Sequence, residues 1–143
     1  MVYQIVYVST SPEPLTTSQI SDILNSSSGN NARDGITGLL MYHDQLFFQV
    51  LEGERSAVES CYSRIGLDGR HSSLALMWKG EDAGRTFPNW AMGYAIPDKL
   101  GPQGKDSLQS LAKLKNGKGS TLTGNTVAAE LARWIIRDFK DVQ

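Results

Sequence analysis

Two apolar runs, residues 36–42 and 45–52, are separated only by the polar pair His43–Asp44, and they constrain the fold more than any other feature. Large and β-branched residues on both sides of a short polar turn predict a β-hairpin with buried strands. The second run contains one amide, Gln49. Burying an amide without a partner costs about 1–3 kcal/mol. We therefore expect a polar group, from the protein or from a ligand, to meet Gln49.

The preceding residues predict a strand followed by a helix. Residues 2–9 are rich in β-branched and aromatic residues, which predicts a strand with Tyr7 on one of its faces. Thr16 and Gln19 have the spacing of a capping box. The helix that they open has an apolar stripe that becomes polar towards its end, with Gly29 helping to stop it and Asn30–Asn31 in the turn that follows. The stripe and its polar continuation are Ile20, Ile23, Leu24, Ser27 and Asn31.

The order of elements predicts an α+β fold. A second amphipathic helix over residues 56–67 and strands at 74–79 and 89–96 complete the order β-α-β-β-α-β-β. This order is that of a ferredoxin-like sandwich with two helices over one face of the sheet. The topology can bring the first strand beside the third, so that Tyr7 and Gln49 share a face.

The character of the chain changes after Pro97. We divide it into a domain over residues 1–97 and a C-terminal helical extension over residues 98–143. The extension contains two amphipathic segments, at 107–115 and 126–139. We expect it to pack on the free face of the sheet or on a partner chain.

Composition excludes several classes of protein. A formal net charge of −1 argues against a nucleic-acid binder that uses a broad basic patch. The single cysteine, Cys61, excludes an internal disulfide and a cysteine-rich zinc site. No apolar run approaches the roughly 20 residues of a membrane span, which leaves the cytoplasm as the expected compartment.

Familiar catalytic patterns find little support. The two histidines, His43 and His71, stand in unrelated contexts, so we expect no metal site. Arg64, Asp68 and His71 are spaced at i, i+4 and i+7, which places them on one stripe of the second helix. This stripe is either a solvated ion pair at a helix end or a cation, a carboxylate and an imidazole along the polar tail of a ligand.

Four further residues each have an ordinary structural interpretation. Tyr7, Trp90 and Met92 can be core residues, and Asn31 can cap a helix end. Their coincidence on facing elements around an apolar slot instead favours a ligand-binding site.

Taken in order, these residues resemble the BLUF domains, the bacterial and algal blue-light sensors that use FAD. The resemblance covers about residues 2–97. The part of the chain after residue 100 is similar in kind to the C-terminal part of short BLUF proteins, which have no output domain. The matching residues are Tyr7, Asn30–Asn31, residues 35–40, Phe48–Gln49, residues 51–53, residues 68–71, residues 85–87 and residues 90–92.

The resemblance implies where FAD binds. It implies a flavin ring between the two helices, in a slot between Ile20 and Ile23 on one side and Cys61 and Ile65 on the other. Asn31 would bind the polar edge of the ring, with Ser27 and Asn30 nearby, and Gln49 would bridge Tyr7 to the ring. The ribityl, phosphate and adenine parts would be bound by Arg64, Asp68, Arg70 and His71.

The resemblance also implies a photoreceptor and not an enzyme. Tyr7 would exchange an electron and a proton with the flavin through Gln49, which would be left rotated or tautomerised. Trp90 and Met92 would transmit the change to the C-terminal helices, and thereby to an unknown downstream protein. A homo-oligomer is expected. The alternatives are a flavin- or nucleotide-dependent enzyme on the same scaffold and a ligand-free interaction module.

Overall fold

A computed structural model of the chain describes residues 1–43, 45–67, 72–88 and 91–95. It consists of strands and helices in the order predicted from the sequence. The elements are β1 (Val2–Thr10), α1 (Thr17–Asp34), β2 (Thr37–His43), β3 (Leu46–Gly53), α2 (Arg55–Gly66), β4 (Ser72–Asp82) and β5 (Gly93–Ala95). The α+β, ferredoxin-like prediction is confirmed.

The five strands form one sheet in the order β4-β1-β3-β2-β5. β1 pairs antiparallel with both β3 and β4, and β2 pairs antiparallel with β3. β5 pairs parallel with β2. The central pair, β1 and β3, places Tyr7 directly opposite Gln49. The prediction that these two residues share a face is therefore confirmed.

Both helices lie on the face of the sheet that carries Tyr7. The apolar core of this face joins strand residues to Ile23 of α1 and to Val58 and Cys61 of α2. The centre of the opposite face is also buried, since Val6, Phe48 and Val50 each have at most 1% of their surface exposed. The alternation of side chains along β1 and β3 thus sends two different sets of residues into two buried layers.

Helix α1 runs further than the sequence predicted. Thr16 and Gln19 form the expected capping box. The helix then continues through Gly29, Asn30 and Asn31, so the predicted stop at Gly29 and the turn at Asn30–Asn31 are wrong. A glycine inside a helix costs only about 1 kcal/mol, which tertiary packing readily outweighs. The helix ends at Gly35, whose left-handed φ of 71° suits a residue without a Cβ atom.

Gly38 in β2 allows two strands to approach closely. A Cβ atom built at this position would lie 1.9 Å from the carbonyl oxygen of Val50 in β3. No side chain can be accommodated there without moving one of the two strands. Gly38 is therefore required by the pairing that carries Gln49.

The last two strands differ from their predicted bounds. β4 extends beyond the predicted 74–79 at both ends. Of the strand predicted over 89–96, residues Gly93–Ala95 form β5 and residues 91–92 do not belong to a strand, while residues 89, 90 and 96 lie outside the described part of the chain. Met92 consequently lies just before β5 and not within a strand. Trp90, Asp68, Arg70, His71 and the extension over 98–143 lie outside the described residues.

Candidate functional site

The centre of the site is a hydrogen bond between two side chains on adjacent central strands. The Tyr7 hydroxyl donates to Oε1 of Gln49. Tyr7 has none of its surface exposed and Gln49 has 2% exposed. The polar partner expected for Gln49 is thus a phenol of the protein itself. A phenol that donates to an amide oxygen in a buried setting can pass its proton along that bond.

The nitrogen of the same amide reaches a residue far along the chain. Nε2 of Gln49 donates to the sulfur of Met92 at 3.5 Å. A thioether sulfur is a weak acceptor. The Gln49 amide therefore connects Tyr7 on one side with Met92 on the other, and any rotation of this amide changes both contacts.

Asn31 is the second buried amide of the site, with 1% of its surface exposed. Its Nδ2 donates to the carbonyl oxygen of Ala91 at 2.8 Å. Its Oδ1 accepts from the thiol of Cys61 at 3.7 Å. Asn31 therefore links α1 to α2 and to the residue that precedes Met92.

These side chains surround a cavity of about 120 Å³ between the two helices. α1 contributes polar residues to the lining in place of the expected Ile20 and Ile23, because Ile23 packs into the apolar core beside it. The residues that line the cavity are Ser26, Ser27, Asn30, Asn31, Gln49, Cys61, Arg64, Ile65 and Met92.

Arg64 stands at the outer part of this lining with 48% of its side chain exposed. Its guanidinium lies 3.2 Å from the carboxylate of Asp34, which joins the ends of the two helices. Hydrogen bonds from Arg33 and Arg64 lower the pKa of Asp34. The predicted stripe of Arg64, Asp68 and His71 cannot be traced further, because the latter two residues lie outside the described part of the chain.

Two titratable side chains of α2 are affected by burial. Desolvation raises the pKa of the Cys61 thiol, against a smaller opposing effect of Arg64. Desolvation also raises the pKa of Tyr62, whose ring meets that of Tyr7 edge-on with 5.1 Å between centroids. Both groups therefore favour their neutral forms, and of the two only Cys61 lines the cavity.

The donor set of the cavity fits a flavin. The polar edge of a flavin ring alternates carbonyl oxygens with an N–H group, and amides such as Asn31 and Gln49 can satisfy both kinds of atom. Ile65 and Met92 supply apolar surface for the ring. The partly exposed Arg64 suits the phosphates of a dinucleotide.

Sequence reasoning gave no role to a second polar cluster, on the opposite face of β3. The carboxylate of Glu52, with 1% of its surface exposed, accepts hydrogen bonds from the backbone N–H groups of Thr86 and Phe87 at 2.9 and 2.6 Å. The sequence feature that could have indicated this cluster is Glu52 itself, a charged residue at the end of an otherwise apolar, buried strand. A glutamine at the matching position of β1, Gln4, is its cross-strand partner.

The described residues contain neither of two further kinds of feature. No three histidine, cysteine, aspartate or glutamate side chains among them lie close enough together to hold a metal ion. No helix in this part of the chain is both long and apolar enough to cross a membrane.

Comparison with known proteins identifies relatives of this arrangement. Residues 2–93 match the family model of the BLUF domain, described as sensors of blue-light using FAD. The beta subunit of photoactivated adenylate cyclase from Euglena gracilis is 32% identical over 112 residues, which are 76% of this chain and 13% of that protein. The chain therefore spans only a small part of the curated relatives that it matches.

Two solved structures are also similar. BlrB, a BLUF protein in its dark state, superposes with a TM-score of 0.72 at 29% identity, covering 95% of this chain and 96% of BlrB. A bacterial light-regulated adenylyl cyclase superposes with a TM-score of 0.72 at 36% identity, covering 79% of this chain and 34% of the cyclase.

Proposed function

This chain belongs to the BLUF family of blue-light sensors that use FAD, and on that premise we propose that Tyr7 and Gln49 form its photochemical relay. The observation that carries the proposal is the buried hydrogen bond from the Tyr7 hydroxyl to Oε1 of Gln49 at the edge of the cavity. It brings an oxidisable phenol and a proton-accepting amide together beside the space that suits the ring.

We propose that Asn31 and Gln49 bind the polar edge of the flavin ring, with Ser27 and Asn30 beside it. Arg64, Asp68, Arg70 and His71 would bind the ribityl, phosphate and adenine parts. The bound flavin supplies light absorption and, once excited, a strong oxidant. Of the residues proposed for the tail, Arg64 lines the cavity and the other three lie outside the described residues.

The residues of the chain would move one electron and one proton and then return both. The phenol of Tyr7 would give one electron to the excited flavin, and its proton would pass to Oε1 of Gln49. The electron and the proton then come back to Tyr7, so no net oxidation remains. The Gln49 amide is left rotated or tautomerised, and its bonds to Tyr7 and Met92 are changed.

This rearrangement is too weak to switch the protein alone. One rearranged hydrogen bond is worth about 1 kcal/mol, whereas a nearly complete two-state switch needs about 5.5 kcal/mol. We propose that Met92 adds to the signal, because its sulfur meets Nε2 of Gln49. Trp90, two residues earlier, has the same proposed role.

The proposed output is a changed contact with a downstream protein or with a second copy of the chain. Residues 1–97 would sense light, and the extension over residues 98–143 would carry the change from β5 to that contact. We propose no turnover of a substrate, and we expect the protein to act in the cytoplasm.

Absorption spectroscopy of the purified full chain tests the proposal. We expect a yellow protein whose flavin absorption shifts to the red under blue light and returns in the dark. Red light of equal photon flux is the control, because it is not absorbed by oxidised flavin. A colourless protein, or a yellow protein without a reversible shift, would contradict the proposed function.

A further inference from the structure

Side chains from both faces of strand β3 form hydrogen bonds to the chain between β4 and β5. We call residues 83–92, which connect β4 to β5, the connecting segment. Gln49 meets Met92 at the end of this segment, on the helix-bearing face. Three residues later, Glu52 meets Thr86 and Phe87 on the opposite face.

The surroundings of Glu52 consist of hydrogen-bond donors. Its two carboxylate oxygens accept from the N–H groups of Phe87 and Thr86 and from two side chains, the hydroxyl of Thr37 at 3.1 Å and Nε2 of Gln4 at 3.4 Å. A carboxylate has enough lone pairs for four donors. A glutamine would instead turn an N–H₂ group towards them and leave buried donors facing a donor.

Arg85 extends the same attachment to the end of α1. Its guanidinium donates to the carbonyl oxygen of Gly35 at 2.8 Å and to the hydroxyl of Thr37 at 2.8 Å. It also reaches the backbone carbonyl of Glu52 at 3.3 Å. The start of the connecting segment is therefore fixed to β2, β3 and the cap of α1.

The other end of the connecting segment is held by the two amides of the cavity. Asn31 holds the carbonyl of Ala91, and Gln49 holds the sulfur of Met92. Glu52 lies outside the cavity lining, yet it holds the chain five residues before Met92. The described parts of the connecting segment are thus attached at residues 85–87 and again at residues 91–92.

We propose that Glu52 is a positioning residue that sets the lifetime of the light-adapted state by fixing the connecting segment. This inference rests on the proposed function. Glu52 favours the arrangement in which Nε2 of Gln49 points to Met92, because it limits the movement of Met92 away from Gln49. Loosening the attachment weakens the preference for this dark arrangement, and the lit state then decays more slowly.

The first test is hydrogen exchange in the full chain without FAD. In Glu52→Gln we expect at least one of the backbone amides of residues 86–87 to exchange about tenfold faster or more, because an N–H₂ donor replaces one of the two acceptor oxygens. Val50→Ala is the matched control, since it removes buried volume from the same face of the same strand two residues earlier. Equal exchange of residues 86–87 in Glu52→Gln and the wild type would overturn the inference.

The second test measures dark recovery after a blue pulse in the FAD-loaded chain. We expect recovery to slow about fivefold in Glu52→Gln, as the loss of one hydrogen bond implies. In a Met92→Leu background the same substitution should change the rate much less, because the two residues act through one contact. Additive effects of the two substitutions would assign Glu52 a purely structural role and contradict the proposal.

A milder variant keeps the inference testable if Glu52→Gln does not fold. Arg85 is exposed, and Arg85→Lys retains the charge while losing the forked contacts to Gly35 and Thr37. It should slow recovery in the same direction, and a wild-type rate would count against the proposal. A wild-type chain that shows no light-induced shift would instead contradict the proposed function itself.

Discussion

Tyr7 and Gln49 are direct cross-strand partners, and the hydroxyl of one donates to the amide oxygen of the other. Their Cα atoms are held by the ladder between the two central strands of the sheet. Because the ladder holds the two backbones in register, we expect a change at this pair to involve side-chain torsions and the proton between the two side chains. The fold thus fixes the distance between donor and relay before any cofactor binds.

Removing the Tyr7 hydroxyl tests this pair. Tyr7→Phe should bind FAD and lose the light-induced shift, and its free energy of unfolding should fall by about 1–2 kcal/mol because Oε1 of Gln49 loses its donor. Urea unfolding and light-minus-dark spectra measure both effects. Tyr42→Phe is the control. It removes a hydroxyl that lies outside the cavity lining and is hydrogen-bonded to the hydroxyl of Ser11 at 2.8 Å. A normal shift in Tyr7→Phe would exclude the relay.

Removing the Asn31 amide should weaken both folding and flavin binding. Asn31→Ala leaves the carbonyl of Ala91 without its donor, which should cost about 1–3 kcal/mol of stability. FAD affinity, measured by fluorescence titration, should fall at least about tenfold, the equivalent of one charge-free hydrogen bond or more. Asn25→Ala on the exposed side of α1 should leave FAD affinity unchanged and should not lower stability, since alanine is the better helix former. Unchanged affinity in Asn31→Ala would remove Asn31 from the binding site.

Substitution by alanine should change the stability of the protein in opposite directions at Gly38 and Gly29. Gly38→Ala should destabilise the protein by about 3 kcal/mol or more, because its Cβ atom would overlap the carbonyl oxygen of Val50. Gly29→Ala should stabilise it by about 0.5–1 kcal/mol, since the residue lies inside α1 with nothing within 4 Å of an added Cβ atom. Thermal and urea unfolding of the pair measure the difference. A destabilised Gly29→Ala would argue for a helix stop at that position.

The thiol of Cys61 lines the cavity, so its reactivity can test where the flavin binds. Because burial raises the pKa of Cys61, its reaction with a disulfide reagent should reach half its maximal rate at a higher pH in the folded chain than in urea. FAD should slow the reaction further, since Cys61 lines the cavity. Equal labelling with and without FAD, at a concentration that turns the protein yellow, would place the flavin elsewhere.

The raised pKa of Cys61 also makes the stability of the protein depend on pH. A folded-state pKa above the unfolded value means that the contribution of the neutral thiol is complete below the unfolded pKa of the thiol. It is lost as the pH rises through the folded pKa. The free energy of unfolding should therefore fall at alkaline pH, and Cys61→Ala should remove this part of the dependence.

The sequence was sufficient to predict the order of elements and the meeting of Tyr7 with Gln49. Period-two patterning fixed the faces of β1 and β3, and the split topology then left the two residues adjacent. The helix end at Gly29 was predicted wrongly, because local propensity is weaker than the packing of Asn31 four residues before the true cap. Which glycine adopts a left-handed conformation depends on tertiary contacts.

The partners of Glu52 could not be obtained from the sequence. Two of its four donors are backbone N–H groups more than 30 residues away, and backbone groups leave no signature in the composition of the chain. The contact between Gln49 and Met92 could not be predicted either, because it depends on where the residues before β5 lie relative to β3. Patterning predicts which face a side chain occupies, whereas long-range loop contacts decide what it meets there.

Asn31 lies in the last turn of α1 and also faces the cavity. Its backbone carbonyl accepts from the N–H groups of Gly35 and Ile36, while its side chain lines the binding space. A side chain at Gly35, an exposed residue outside the cavity lining, would be strained at its left-handed φ, and we expect this strain to shift the last turn that holds the Asn31 amide. Flavin colour and affinity should thus be sensitive to a surface position that no inspection of the binding pocket alone would select.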